Sequence, residues 1–200
     1  MTHSFLAFAL FAAVVTITPG ADTLLVIRTA AGSGRRAGLA ATAGIVLGCL
    51  VWAALSAIGV TALLNASRIA FDVLRAAGVA YLLWLGVAAL RGSRGRPPVQ
   101  RRASFRSGLT TNLLNPKVGA FYLSVMPAFL PAGVPPLAGA LGLGAIHAVE
   151  GAIWLSGLVL AVGRARAVLT RPRVARTLER ISGIVFIGFG VRLALERAPS

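Results

Sequence analysis

Long apolar runs alternate with short basic clusters along the whole chain. The runs are Ser4–Ile27, Ala37–Leu64, Ile69–Leu90, Ser107–Leu130, Leu137–Gly163 and Leu178–Leu195. The second is uncharged throughout. About 20 apolar residues make a helix long enough to cross a bilayer. The pattern predicts an all-α polytopic membrane protein with six transmembrane helices. Composition agrees: 57 % of the residues are hydrophobic and 12 % charged, with a mean hydropathy of +0.83. A soluble domain is nearer 45–50 % apolar and about 25 % charged. The single cysteine, Cys49, cannot form an internal disulfide. An ordinary cytosolic enzyme, a disordered chain and a disulfide scaffold are therefore excluded.

Charge adds an orientation. There are 20 basic and 5 acidic residues, a formal net charge of +15. The basic residues fall in clusters between apolar runs, not in the continuous stripe that binds nucleic acid. The connection between runs 1 and 2 carries Arg28, Arg35 and Arg36. The connection between runs 3 and 4 carries Arg91, Arg94, Arg96, Arg101, Arg102 and Arg106. The connection between runs 5 and 6 carries Arg164, Arg166, Arg171, Arg173, Arg176 and Arg180. Together they hold 15 of the 20 basic residues. By the positive-inside rule these connections are cytoplasmic, and both termini are extracytoplasmic. The first run lacks the basic segment that precedes a cleaved signal, so it reads as a retained helix.

The two halves resemble each other. Thr18-Pro19-Gly20 in run 1 is matched by Asn115-Pro116-Lys117 in run 4, 97 residues later. Trp52 in run 2 is matched by Trp154 in run 5. Arg75, Gly78, Tyr81 and Trp84 in run 3 are matched by Arg180, Gly183, Phe186 and Phe189 in run 6, offset by 105. Three spans reverse the orientation of the next three, so the expectation is two inverted three-helix repeats. The chain reads as one transmembrane domain, 1–200. Repeat 1 covers about 1–91, a cytoplasmic loop 92–106, and repeat 2 about 107–200.

Proline inside a helix removes a backbone donor, and in hydrocarbon the freed groups need partners or a cavity. Pro19 lies nine residues before Arg28, and Pro116 ten after Arg106. At about 1.5 Å per residue both breaks sit near the bilayer midplane. Polar residues gather at both: Thr16, Thr18, Asp22 and Thr23 at the first, Thr110, Thr111, Asn112, Asn115 and Lys117 at the second. A charge at that depth is a functional candidate, and Asp22 and Lys117 are natural partners, one from each half. Their alternative role is a structural ion pair locking the repeats together. Run 5 adds His147 and Glu150 on one helix face, an acid and an imidazole that can pass a proton. Asp72 and Arg75 read as a local pair. His147 and Glu150 make only two metal ligands, so no metal is expected. Ala40, Gly44 and Gly48 form a small-residue stripe suited to close helix contact or a homodimer. Gly139, Gly142, Gly144, Gly188 and Gly190 read as packing residues. No phosphate loop, GxSxG or HExxH occurs, which points away from an enzyme and from a nucleotide or other cofactor.

The order of these features resembles the LysE/RhtB family of amino-acid exporters over nearly the whole chain. The resemblance rests on Thr18-Pro19-Gly20-Ala21-Asp22-Thr23-Leu24, on Gly34-Arg35-Arg36-Ala37-Gly38, and on Gly78-Val79-Ala80-Tyr81-Leu82-Leu83-Trp84-Leu85-Gly86. It rests also on Phe105-Arg106-Ser107-Gly108 leading to Asn112-Leu113-Leu114-Asn115-Pro116-Lys117. It implies a six-span carrier of the bacterial inner membrane that exports amino acids or close relatives. The chain departs from the family's TPGPN, with Ala21 in place of a proline and Asp22 in place of an amide.

The expected activity is export of a small zwitterionic or cationic amino acid by proton antiport. Substrate would sit among Thr18, Pro19, Gly20, Asp22, Asn112, Asn115, Pro116 and Lys117. Glu150, Asp22 and His147 would carry the coupling proton. Efflux of a metal cation or toxic compound, and a non-transporting scaffold, stand as alternatives. Topology is directly testable in a Cys49→Ala background. Ser200→Cys should react with an impermeant maleimide on intact cells, and Ser93→Cys only after the membrane is opened; labelling of position 93 from outside reverses the orientation.

Overall fold

The computed structural model describes residues 2–66, 68–91, 105–131, 133–162 and 172–195. These residues are helical almost throughout. Helices α1 (Thr2–Ile17) and α2 (Ala21–Ser33) are separated by the break at Thr18–Gly20 and bent by 51°. Gly34, with φ +88°, takes the left-handed turn into α3 (Arg35–Ala66). Helix α4 (Arg68–Arg91) follows, then α5 (Phe105–Leu113). After a second break, α6 (Pro116–Ala120) runs on through a π-helical turn, Phe121–Val125, and a 3-10 turn, Met126–Phe129. Helices α7 (Pro136–Leu160) and α8 (Pro172–Leu195) complete the described chain.

Both proline breaks are present, and the helices match the apolar runs with two differences. Helix α2 continues past Ile27 to Ser33, and α8 starts at Pro172, six residues before the run marked at Leu178. Proline suits the first helical position because its missing N–H has no partner there in any case. The exposed Arg173, Arg176 and Arg180 then form a solvated face on the first turns of α8. Among the described residues, Arg35–Gly59 and Pro136–Leu160 are each long and apolar enough to cross a membrane. The bent α1–α2 pair makes a third candidate. Leu6, Leu10, Ile58, Trp84 and Ile153 project outward, at 60–71 % exposure. So many exposed apolar side chains suit contact with lipid. The loop at 92–104, the connection at 163–171 and the side chains of Asp72 and Arg75 lie outside the described residues.

Small residues set the packing. Helix α3 lies at the centre against α2, α5 and α7, while α4 packs on α8. A methyl group on Gly44 would run into Phe105 O, and one on Gly108 into Ala41 O, so the α3 and α5 backbones touch. A methyl on Gly86 would lie 2.8 Å from Gly183 O, which fixes the approach of α4 to α8. Gly44 and Gly48 both face α5 of the same chain. This stripe is therefore filled internally and is not open to a second copy.

Two apolar clusters flank the first break. Before it, Phe8 and Phe11 join Phe121, Phe129, Phe186 and Phe189, with Phe11 and Phe189 4.9 Å apart and Phe129 stacked on Phe189 at 5.5 Å. After it, Val26, Ile27 and Ala30 join Ala41, Ile45, Leu155, Leu158 and Val159. Gly108→Ala should destabilise the fold by about 1–3 kcal/mol, because backbone must move to admit the methyl. Gly157→Ala meets open space and should be neutral. Thermal unfolding in detergent compares the two; equal midpoints would mean that the α3–α5 contact is not tight.

Candidate functional site

Each proline leaves one carbonyl without its helical donor. Pro19 cannot serve Val15 O, and Pro116 cannot serve Asn112 O. Both carbonyls are satisfied from elsewhere in the chain. Lys117 Nζ donates to Val15 O at 2.7 Å and to Thr18 O at 2.9 Å. Trp52 Nε1 donates to Asn112 O at 3.3 Å, and Asn115 N reaches the same oxygen at 3.1 Å. Thr18 Oγ1 donates to Val14 O at 2.6 Å, closing the last turn of α1. The Asn115 side chain caps α6 by accepting from Lys117 N at 3.1 Å. At the other break Gly20 starts α2 in extended conformation with no side-chain cap.

The two halves also meet through Asp22. Asn112 Nδ2 donates to Asp22 Oδ2 at 2.9 Å and lies 3.6 Å from Cys49 Sγ. Asn112 is fully buried, and Gly48 makes room for it: a methyl there would strike its side chain. The second oxygens, Asp22 Oδ1 and Asn112 Oδ1, are buried with no hydrogen-bond partner among the described residues. Asp22 and Lys117 are close enough for their charges to interact. Lys117 donates to Val15 O and Thr18 O while its charge interacts with Asp22, so it serves the break as well as the acid.

Between the breaks lies a cavity of about 40 Å³. Asp22, Lys117, Thr18, Gly20, Asn112, Asn115 and His147 all line it. Pro19, Pro116 and Glu150 are not part of its wall. Cys49, Thr16, Thr23, Gly151 and the aliphatic Val15, Ile45, Val118 and Leu155 complete its lining. A water needs about 10–15 Å³ on this measure, so the space holds a few waters and no amino acid.

His147 is buried, and its Nδ1 shares a 2.9 Å hydrogen bond with Tyr122 OH. Its ring stands 4.9 Å from that of Phe121. Ser56 Oγ in turn donates to Tyr122 O at 2.7 Å. The π-helical turn at Phe121–Val125 buries both Phe121 and Tyr122, and such turns often mark functional positions. Glu150 is half-buried on the same helix, with Oε2 buried and without a hydrogen-bond partner among the described residues.

The chain matches the LysE type translocator profile over residues 13–197. It belongs to the LysE-type translocator family. Curated relatives align over nearly their whole length. The threonine efflux protein of Escherichia coli K12 is 28 % identical, over 98 % of this chain and all of the relative. The homoserine/homoserine lactone efflux protein of Salmonella typhi is 29 % identical over 96 % of each. The leucine efflux protein of Klebsiella pneumoniae is 30 % identical over 96 % of this chain and 94 % of the relative. No solved structure matches the chain.

Sequence reasoning found the two breaks and the residues around them but missed Trp52 as a donor and Tyr122 altogether. Asking which group replaces the donor removed by Pro116 would have pointed to Trp52, a lone N–H near the centre of run 2. Lys117→Met should destabilise this translocator by about 1–3 kcal/mol for each carbonyl left unsatisfied. Adding Pro19→Ala restores an N–H for Val15 O and should recover part of the loss. Additive losses in the double variant would mean that Lys117 does not support the break.

Proposed function

We propose that this translocator exports small neutral amino acids or close derivatives from the bacterial cytoplasm by proton antiport. The observation that carries the proposal is the meeting of Asp22 and Lys117, one from each half, on one cavity between two broken helices. A zwitterion carries one charge of each sign and matches that pair. The substrate carboxylate would take Lys117 and the uncapped N–H groups at the start of α2. Its ammonium would take Asp22, with Asn112 and Asn115 fixing the acid. A cationic amino acid would need a second acid on the wall, and Glu150 is not there. The efflux activities named for the relatives support this choice.

The architecture we infer is six spans in two inverted repeats, 1–91 and 107–200, joined by a cytoplasmic loop, with both termini outside. Its support is the pair of proline breaks and the packing of corresponding helices on each other, α3 on α7 and α4 on α8. Rocking one repeat against the other would widen the closed cavity toward each side in turn. Glu150, beside the cavity wall and with a buried oxygen unpartnered among the described residues, is our choice for the coupling proton. His147 lies one helical turn before it on the cavity lining, hydrogen-bonded to Tyr122.

Counterflow in proteoliposomes tests the substrate class. L-threonine, L-homoserine and L-leucine should exchange well and L-lysine poorly; no exchange with any amino acid removes the proposal. Glu150→Gln keeps the shape and cannot release a proton. It should reduce pH-gradient-driven efflux more than about tenfold while exchange and expression persist. Asp22→Asn can still accept from Asn112, so it should fold and raise the KM for substrate. Parent rates of driven efflux in Glu150→Gln would move the coupling role to Asp22.

A further inference from the structure

The second break is served by a tryptophan, and the first has an idle one. Trp52 Nε1 takes the carbonyl that Pro116 orphans. Trp154 occupies the matching place in the other half, 102 residues later, while the breaks are 97 residues apart. Its Nε1 is buried and has no hydrogen-bond partner among the described residues. A buried donor left unsatisfied is costly and calls for a reason. Trp154 lies on α7 directly before Leu155 and one turn after Gly151, both of which line the cavity. Helix α7 packs on α1 and on α2, the two arms of the first break. The carbonyl that a matching bond would use is Val15 O, which Lys117 holds in the described state.

We propose that Trp154 is the state-dependent donor to Val15 O. When the repeats rock, its indole N–H takes this carbonyl and Lys117 is released toward the substrate carboxylate. This rests on the alternating-access exporter proposed above. It explains three observations together: a lysine engaged by carbonyls, a buried indole N–H without a partner among the described residues, and a tryptophan in the same place in each half. It also assigns a direction. In the described state the phenylalanine cluster fills the side that carries the first turns of α1. The other state opens there, and that is the state in which Trp154 is bonded. Trp154 is thus a positioning residue, acting through the α1 carbonyl and Lys117.

Cys49 supplies the readout, being the only cysteine and lining the cavity. Its alkylation by an impermeant cationic maleimide would be followed in sealed vesicles of both orientations. The variants are Trp154→Phe and the replacement of Trp154 by benzothienylalanine, which keeps the indole shape and lacks the N–H. Trp84→Phe is the control, since Trp84 is 60 % exposed on α4. Both position-154 variants should slow alkylation from the face carrying the termini about tenfold, the shift that one hydrogen bond supports, and not from the opposite face. Equal rates on both faces, or equal slowing on both, would overturn the proposal. L-threonine, L-homoserine and L-leucine are added in parallel to protect Cys49. Face-selective slowing without protection by any of them upholds Trp154 and removes the amino-acid substrate. Protection without face-selective slowing upholds the substrate and removes Trp154.

Discussion

Two missing backbone donors govern the centre of this protein. In water a proline break is a local event, because solvent takes the orphaned carbonyl. In hydrocarbon the carbonyl must be met by another part of the chain. Val15 O is met by a lysine from the second half, and Asn112 O by a tryptophan from the second long helix. Each break is thereby tied to a distant element, across 102 residues in one case and 60 in the other. The glycines follow from the same need. Trp52 reaches Asn112 O because α3 and α5 touch, and they touch because Gly44, Gly48 and Gly108 carry no side chains.

Much of this was legible in the chain, for a physical reason. Proline, aspartate and lysine are so costly inside a bilayer that their presence announces a built site. Pro19, Pro116, Asp22 and Lys117 could therefore be placed together before any coordinates. Their partners could not. Asp22 and Lys117 read as natural partners and their charges interact, but the sequence does not show that Asp22 also takes an amide and Lys117 two carbonyls. Backbone acceptors carry no signature in sequence. Nor does register: His147 and Glu150 share a helix face by spacing, yet only His147 lines the cavity, turned there by Tyr122. The small-residue stripe on α3 was visible, but not which surface it met.

The apolar clusters on either side of the first break differ in kind. Toward the start of α1, phenylalanine rings from three elements interlock at centroid distances of 4.9–6.3 Å. Toward the end of α2, the contacts are among valine, leucine, isoleucine and alanine. On this side Arg35 also reaches Leu160 O at 3.2 Å, tying the start of α3 to the end of α7.

The resemblance of the halves is also informative where it fails. At an offset of 97, the residue matching Lys117 is Gly20. One half brings an ammonium to the cavity, and the other brings a bare backbone in extended conformation. A methyl on Gly20 would lie 3.7 Å from Lys117 Nζ, so the glycine leaves open the space beside the charge. Two lysines in strictly matching positions would place like charges together in a cavity of about 40 Å³, which low-dielectric surroundings would not tolerate. The acid departs from symmetry in the same way: Asp22 is matched by Gly119, which packs against the Trp52 ring. A single positive and a single negative group thus line one cavity, one from each half of the chain. For the zwitterion proposed above, that asymmetry would leave one preferred orientation, because the reverse would set like charges against each other.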